Sequence, residues 1–294
     1  MKRLTWRSRC WGGNPRSGLA HFRRCGIVTG VQTIEANGAR IPLIGLGTWD
    51  LRGKSCAQMV ETALALGYRH IDTAAMYRNE DKVGAGLRAS GVPRDQAFIT
   101  TKVWSSELRA RDFERSARDS LRKLKLDQVD LLLIHWPNSS VPLKETIGAL
   151  CKMKREGVAR HIGVSNFNPA LIAEAVKLST EPLVNNQIEL HPYNDQTRTI
   201  AASRQAGLSV TAYSPIARGR IKGDAVLSRI GKAHGRTEAQ VCLRYLVQQD
   251  IIVIPKTSQA ERLKENAAVF DFALTPAEMK EIAALASPHG NIVS

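Results

Sequence analysis

The stretch GLGTWD, residues 45–50, closes an apolar run, IPLIGLGT (41–48), and decides between two parallel α/β folds. A doubly wound sheet that holds a dinucleotide follows its first strand with G-x-G-x-x-G, whose third glycine lets a helix pack closely. Gly45 and Gly47 supply the first two glycines, but Asp50 stands where the third is needed, and no helix start follows. Seven further β-rich apolar runs succeed it: RHIDTA (69–74), AFITTKVW (97–104), VDLLLIHW (129–136), RHIGVSN (160–166), LVNNQIEL (183–190), LSVTAYSP (208–215) and IIVIPKT (251–257). Amphipathic helical patterns such as SCAQMVETALALG, FERSARDSLRKLK, LKETIGALCKMKREG and QVCLRYLVQQD lie between them. Near-continuous apolar strands alternating with helices imply a parallel sheet covered by those helices. Eight such strands predict a closed (β/α)8 TIM barrel over residues 31–294.

Outward from the barrel, VQTIEANGARIPLI alternates around Asn37-Gly38, the residue pair of a two-residue hairpin turn. That hairpin is expected to cap the N-terminal end of the barrel. After the last run, QAERLKENAAV and TPAEMKEIAALA read as helices, the second opened by Thr275 as N-cap and Pro276 at the first helical position. Residues 1–30 lack a strand or helix period and the apolar centre of a secretory signal, and are expected to be a disordered basic extension.

The net charge of +15 invites a nucleic-acid reading, but seven of the 42 basic residues and no acid fall within residues 1–30. The modest excess that remains suits small anionic ligands, and no zinc-finger or RNP-type pattern accompanies it. No nucleic-acid partner is therefore expected. No apolar run is long enough to span a membrane. The five cysteines, Cys10, Cys25, Cys56, Cys151 and Cys242, are scattered without a CxxC pair. They argue against a disulfide framework or a metal site and for a reducing cytoplasm.

In a barrel, catalytic groups come from the C-terminal ends of several strands. Those ends carry Asp72 and Tyr77, then Lys102, His135, Ser165-Asn166, Gln187 and Tyr213-Ser214. Singly each has a structural reading: Asp72 as a turn cap, Lys102 snorkelling outward, His135 as a core histidine. Four ionisable groups converging on one mouth argue for chemistry instead. An ion pair between Asp72 and Lys102 is expected, with the cation drawing the Tyr77 phenol pKa down from about 10. A tyrosine so placed donates a proton, and neutral His135 orients a carbonyl oxygen beside it. Such a group suits hydride addition to a carbonyl. For the hydride donor, Lys256, Thr257 and Arg262 offer two cations and a hydroxyl to a 2′-phosphate after the last strand, where barrels commonly bind phosphate. Tyr213 is placed to stack on a nicotinamide, and Asn166 and Gln187 to bond its carboxamide.

The motifs GLGTW (45–49), GYRHIDTAAMY (67–77), ITTKVW (99–104), LLLIHWP (131–137), IGVSNF (162–167), NNQIELHP (185–192), AYSPIA (212–217) and IPKTSQAERLKEN (254–266) together resemble the aldo-keto reductase family over nearly all of 31–294. SGVPRDQAFITTKVW is most similar to the bacterial 2,5-diketo-D-gluconate and methylglyoxal reductases of that family. The resemblance implies an NADPH-dependent barrel with a tetrad of Asp72, Tyr77, Lys102 and His135, Tyr77 being the proton donor. It implies that Ser165, Asn166 and Gln187 hold the carboxamide, Tyr213 lies under the nicotinamide, and Lys256, Thr257 and Arg262 meet the 2′-phosphate. Glu265 and Asn266 would lie near the adenine, with Gly47, Thr48 and Ser214 completing the cofactor set. Trp49, Trp104 and Trp136 would wall the substrate pocket. Thr257 stands where the family usually has Ser, and the segment after residue 286 is short for the family, which predicts an open, permissive pocket. His191 reads as structural. The expectation is a monomeric reductase of aldehydes, α-dicarbonyls or keto sugars, with a cofactor-sensing binding protein on the same fold as the alternative.

Overall fold

The structure, a computed structural model, describes residues 24–28 by their backbone and residues 31–293 in full. Asn37 and Gly38, at φ +44° and +85°, make the turn that joins β2 (Val31–Ala36) to β3 (Ala39–Pro42). Both residues sit in the left-handed region that this two-residue turn demands. A further strand, β1 (Arg24–Val28), pairs antiparallel with β2, so the cap is a three-stranded sheet rather than a bare hairpin. The expectation of disorder over 1–30 thus meets a strand at 24–28, and elsewhere in that range it lies outside the described residues.

The cap plugs the barrel from below. Ile34, Ala39, Ile41 and Leu43 pack against Phe98, Leu131, Leu133, Val184 and Ile252, which point inward from the strands. The Asn37 amide donates to the Leu183 carbonyl at 2.7 Å, tying the turn to the start of a strand almost half the chain away.

Eight parallel strands form the barrel: β4 (Leu46–Gly47), β5 (His70–Asp72), β6 (Phe98–Val103), β7 (Val129–Ile134), β8 (Ala159–Ser165), β9 (Leu183–Glu189), β10 (Ser209–Tyr213) and β11 (Ile252–Val253). Their order in the sheet follows the chain. The ring closes where Ile44 bridges Val253, with Gly45 N–H donating to Val253 O and Val253 N–H to Leu43 O, each at 2.9 Å. IPLIGLGT (41–48), expected as one strand, is split. Its first two residues stay with the cap, and the chain bends at Leu43 before Leu46 joins the barrel. Pro42, with no N–H to continue a ladder, suits such a boundary.

Eight helices follow their strands and cover the outside: α1 (Gly53–Ala65), α2 (Glu80–Ala89), α3 (Ala110–Leu124), α4 (Leu143–Arg155), α5 (Pro169–Leu178), α6 (Thr197–Gln205), α8 (Glu238–Val247) and α9 (Ala260–Ala267). An additional helix, α7 (Ala225–His234), sits in the connection after β10, and α10 (Pro276–Ala283) comes last. Thr275 and Glu278 form a reciprocal capping box at the start of α10, with Pro276 behind it, as the sequence predicts. The main core lies between sheet and helices, where residues such as Ile71, Leu132, Ile134, Val164, Ile147 and Leu246 are fully excluded from water.

Candidate active site

Side chains alternate between the two faces of a strand, and this alternation sorts the site. In β6, Thr100 and Lys102 face the barrel axis, while Thr101 points outward and donates to the α2 carboxylate of Glu80 at 2.6 Å. In β9, Asn185, Gln187 and Glu189 face in, whereas Asn186 faces out and bonds Phe167 O at 3.0 Å. The inward groups at the C-terminal ends therefore meet in one volume.

At its centre the Lys102 ammonium donates to Asp72 Oδ1 at 2.5 Å, to Thr73 O at 2.9 Å and to the Tyr77 hydroxyl at 3.4 Å. Lys102 and Asp72 are 0% and 1% exposed, so neither ion has water to fall back on. The second carboxylate oxygen of Asp72 accepts from Gln187 Nε2 at 2.8 Å. The local sequence explains how Tyr77 reaches this point. After β5, a single 3-10 turn over Ala75–Tyr77 is ended by Arg78 in the left-handed region. Asn79 then braces the loop by donating to Thr48 O at 2.8 Å and Leu51 O at 3.0 Å and accepting from Thr73 Oγ1 at 2.9 Å.

The electrostatics differ in one respect from the expectation. Burial pushes the Tyr77 phenol up, and although Lys102 pulls it down, the net is above the ordinary value of 10. The cation moderates the shift without reversing it, because desolvation of a phenolate outweighs one neighbouring charge that Asp72 already shares. Burial draws Lys102 down, but Asp72 and Tyr77 together outweigh it and the ammonium is held above its usual range. His135 follows β7, and burial, with Lys102 nearby, drops its pKa to about 2. The imidazole is neutral at any physiological pH. Its Nδ1 is buried with no hydrogen-bond partner among the described residues.

Aromatic rings surround these groups edge to face. Trp49 and Tyr77 have centroids 5.1 Å apart, Tyr77 and His135 5.6 Å, and His135 and Trp104 5.0 Å. A cavity of about 550 Å³ opens over them. Of the residues singled out from sequence, it is lined by Gly47, Trp49, Asp72, Tyr77, Trp104, His135, Trp136, Gln187, Tyr213, Ser214, Lys256, Thr257 and Arg262. Its lining extends from Tyr77 and His135 through Tyr213 to the basic group after β11.

The other predicted residues stand behind this surface. Thr48 is fully buried and its hydroxyl donates to Asp72 O at 2.9 Å, which makes it a brace of β5. Ser165 donates to Gln187 O at 2.8 Å. Asn166, at φ +63°, donates to His135 O at 2.9 Å and accepts the Tyr213 hydroxyl at 2.9 Å, so it couples three strand ends. On α9, Arg262 and Glu265 are exposed and Asn266 is buried; Arg262 alone of these lines the cavity.

Sequence reasoning missed three features of the site. Gln187 anchors the Asp72 carboxylate, a long-range contact with no local signal. The loop after β10 carries Ser214, Ala217, Arg218 and Gly219 at positive φ and lays Arg218 and Gly219 against the cavity. Val293 also lines it, so the short segment that follows α10 does reach the pocket.

At one end of the cavity, a proton-bearing phenol touches a fixed cation beside a neutral imidazole. At the other, Lys256, Arg262 and Arg218 line the wall with no acid in ion-pair contact among the described residues. That combination accommodates an elongated anionic ligand whose far end reaches the phenol. Gly47 lets the ends of β4 and β11 approach closely beside the cavity, since a Cβ there would sit 2.5 Å from Ile254 O.

Comparison with known proteins agrees with this arrangement. The model of the Aldo/keto reductase family matches residues 43–287. The methylglyoxal reductase DkgB of Escherichia coli O157:H7 is 41% identical over 248 residues, covering 83% of this chain and 93% of that protein. A crystal structure whose protein is provisionally described as 2,5-diketo-D-gluconic acid reductase B superposes with a TM-score of 0.88 at 49% identity, over 90% and 94% of the two chains. The Bombyx mori aldo-keto reductase in complex with NADP superposes at 0.83 with 34% identity, over 89% and 94%. With a family match of this extent laid over a closed barrel and a Tyr–Lys–Asp–His cluster at its mouth, the chain belongs to the aldo/keto reductase family of carbonyl oxidoreductases.

Proposed function

We propose that the protein reduces aldehydes, α-dicarbonyls or keto sugars to alcohols with NADPH, Tyr77 supplying the proton. The observation that carries this reading is the Tyr77 hydroxyl 3.4 Å from an ammonium that Asp72 holds in place at 2.5 Å. The family and its methylglyoxal-reducing relatives support the substrate class.

NADPH supplies the hydride that the carbonyl carbon receives. Lys256, Thr257 and Arg262 would hold its 2′-phosphate, with Glu265 and Asn266 toward the adenine and Gly47 and Ser214 along the way, while Thr48 supports that wall from behind. Tyr213 would lie against the nicotinamide, and Ser165, Asn166 and Gln187 would fix its carboxamide. Because Gln187 Nε2 is committed to Asp72, its Oε1 is the atom left for a ligand N–H.

The chain's own contribution is proton delivery. A raised phenol pKa keeps Tyr77 protonated across the neutral range, which suits a donor that acts as charge develops on the carbonyl oxygen. The adjacent ammonium stabilises the phenolate left behind, and Asp72 prevents Lys102 from swinging away. Neutral His135 can share a hydrogen bond with the same oxygen without adding a competing acid. Trp49, Trp104 and Trp136 exclude water and shape the space for the substituent. All of these groups come from one chain, so a monomer suffices. The free, buried thiols of Cys56, Cys151 and Cys242 suit a reducing cytoplasm. No helix of the described residues is long and apolar enough to cross a membrane.

The test mixes protein, NADPH and methylglyoxal and follows nicotinamide absorbance. Wild type should consume NADPH while Tyr77→Phe, which still binds it, should not. Equal, slow consumption by both across an aldehyde panel would sink the mechanism.

A further inference from the structure

Glu189 is the last residue of β9, and its side chain, like those of Asn185 and Gln187, points into the barrel mouth. It is 4% exposed, and a buried carboxylate needs strong partners. Two of those partners belong to the segment after α10. Ile292 N–H donates to Oε1 at 2.6 Å and Val293 N–H to Oε2 at 3.0 Å. The third is His191, fully buried, whose Nε2 lies 3.0 Å from Oε1. Burial alone would raise this carboxyl, but the hydrogen bonds from His191 and the two amides outweigh it and keep it ionised.

Further ties lie beside the first. The Asn194 amide donates both to Glu189 O at 2.9 Å and to Asn291 Oδ1 at 3.0 Å. Ser287 N–H donates to Tyr193 O at 2.9 Å and its carbonyl accepts from Asp195 N–H at 3.2 Å. Nothing in proton delivery uses Glu189. Its two oxygens hold a backbone that carries Val293 to the cavity wall.

We propose that Glu189 is a specificity-determining positioning residue: its carboxylate straps Ile292 and Val293 to the barrel mouth and thereby sets Val293 as a fixed wall of the catalytic cavity. The segment is short, yet the pocket is bounded by it, and the side-chain volume at position 293 limits the substituent a carbonyl substrate can carry. His191 shares the role by orienting the carboxylate. The claim about specificity rests on the reductase reading; the strap itself does not.

Two measurements test it. Hydrogen exchange at Ile292 and Val293 should be slow in wild type and roughly 10-fold faster in Glu189→Gln and Glu189→Ala, as expected for losing a hydrogen bond to a charged acceptor. Turnover should be compared between methylglyoxal and a bulky aromatic aldehyde. The ratio of kcat/KM, bulky over small, should rise on the order of 10-fold in the Glu189 variants, the usual effect of altering a pocket by about a methylene group. The change should fall on KM of the bulky substrate, while kcat for methylglyoxal and the Kd of NADPH stay at their wild-type values. Val293→Ala removes the wall without touching the strap; it should raise the same ratio with Ile292 still protected, and it covers the case in which the Glu189 variants do not fold. Rapid exchange in wild type overturns the strap, and an unaltered ratio in Val293→Ala overturns the wall. Slow exchange in a protein that reduces no carbonyl would uphold the strap and refute the proposed function instead.

Discussion

Removing one member of the Lys102–Asp72 pair should cost far more than removing both. At 2.5 Å and an effective dielectric near 20, the attraction between the two charges is about 7 kcal/mol. Desolvating both ions offsets much of this, so the pair adds little net stability over a neutral replacement. Lys102→Met, however, leaves the Asp72 carboxylate in a dry site with Gln187 as its remaining side-chain donor. Asp72→Asn leaves an ammonium whose other partners are Thr73 O and Tyr77. Each single variant should therefore lose roughly 3–5 kcal/mol, the cost of stranding a buried charge. At about 2.1 cal/mol/K of unfolding entropy per residue, that is a Tm drop of roughly 5–9 °C for a domain of this size. The double variant should lose no more than either single one. The assay is urea unfolding of all four proteins, monitored by tryptophan fluorescence. The pH dependence carries a further sign. Because the folded pKa of Lys102 lies above the ordinary 10.5, its contribution is complete below that pH and disappears as pH rises through the folded value. If the two single losses sum to the double loss within about 0.5 kcal/mol, the ions are not coupled and the reasoning fails.

Tyr77 and His135 together predict the pH profile of reduction. The phenol stays protonated to beyond pH 10 and the imidazole does not titrate above about 2, so kcat/KM should be level from pH 5 to 9 and fall only in strong alkali; a limb near the ordinary histidine pKa would refute the neutral assignment. Arg262→Ala should weaken NADPH by roughly 10- to 100-fold, the worth of a charge-assisted hydrogen bond, and leave NADH nearly unaffected in fluorescence titrations. Gly47→Ala places a methyl 2.5 Å from Ile254 O, and the backbone shift it forces should cost about 1–3 kcal/mol of stability together with cofactor affinity; full retention of both would show that β4 and the segment after β11 do not approach as closely as the structure has it.

Much of this was legible because a parallel barrel writes itself plainly. Strands buried on both faces read as apolar runs, and polar residues at their C-terminal ends stand out, as His135 does after Leu131 through Ile134. Asn37-Gly38 announced its turn for the equally local reason that both residues accept positive φ. What escaped was set by distance in space. The split of IPLIGLGT depends on which partner each half finds, and both halves are apolar. IIVIPKT yielded only Ile252–Val253 as strand, because the chain leaves the ladder to enter the cavity wall. The direction of the Tyr77 shift depends on how much water its ring has lost, which no spacing of residues encodes. Glu189 and His191 sit two apart at a strand end, a visible signal in retrospect, but nothing in their own neighbourhood names Ile292 and Val293 as partners.

The place where Ile44 meets Val253 is a seam joining the two ends of the barrel chain, and the cavity straddles it: Gly47 lies on one side, Ile254, Lys256 and Arg262 on the other. Ile44 and Val253 are 209 residues apart (253 − 44), so closing this seam costs more chain entropy than pairing neighbouring strands. A dinucleotide bound as proposed, lying across the seam, would act as a clasp. At a hundred times its Kd it would add about 2.7 kcal/mol to the closed ring. The cell's cofactor supply would then govern how long the barrel stays shut, as well as how fast it turns over.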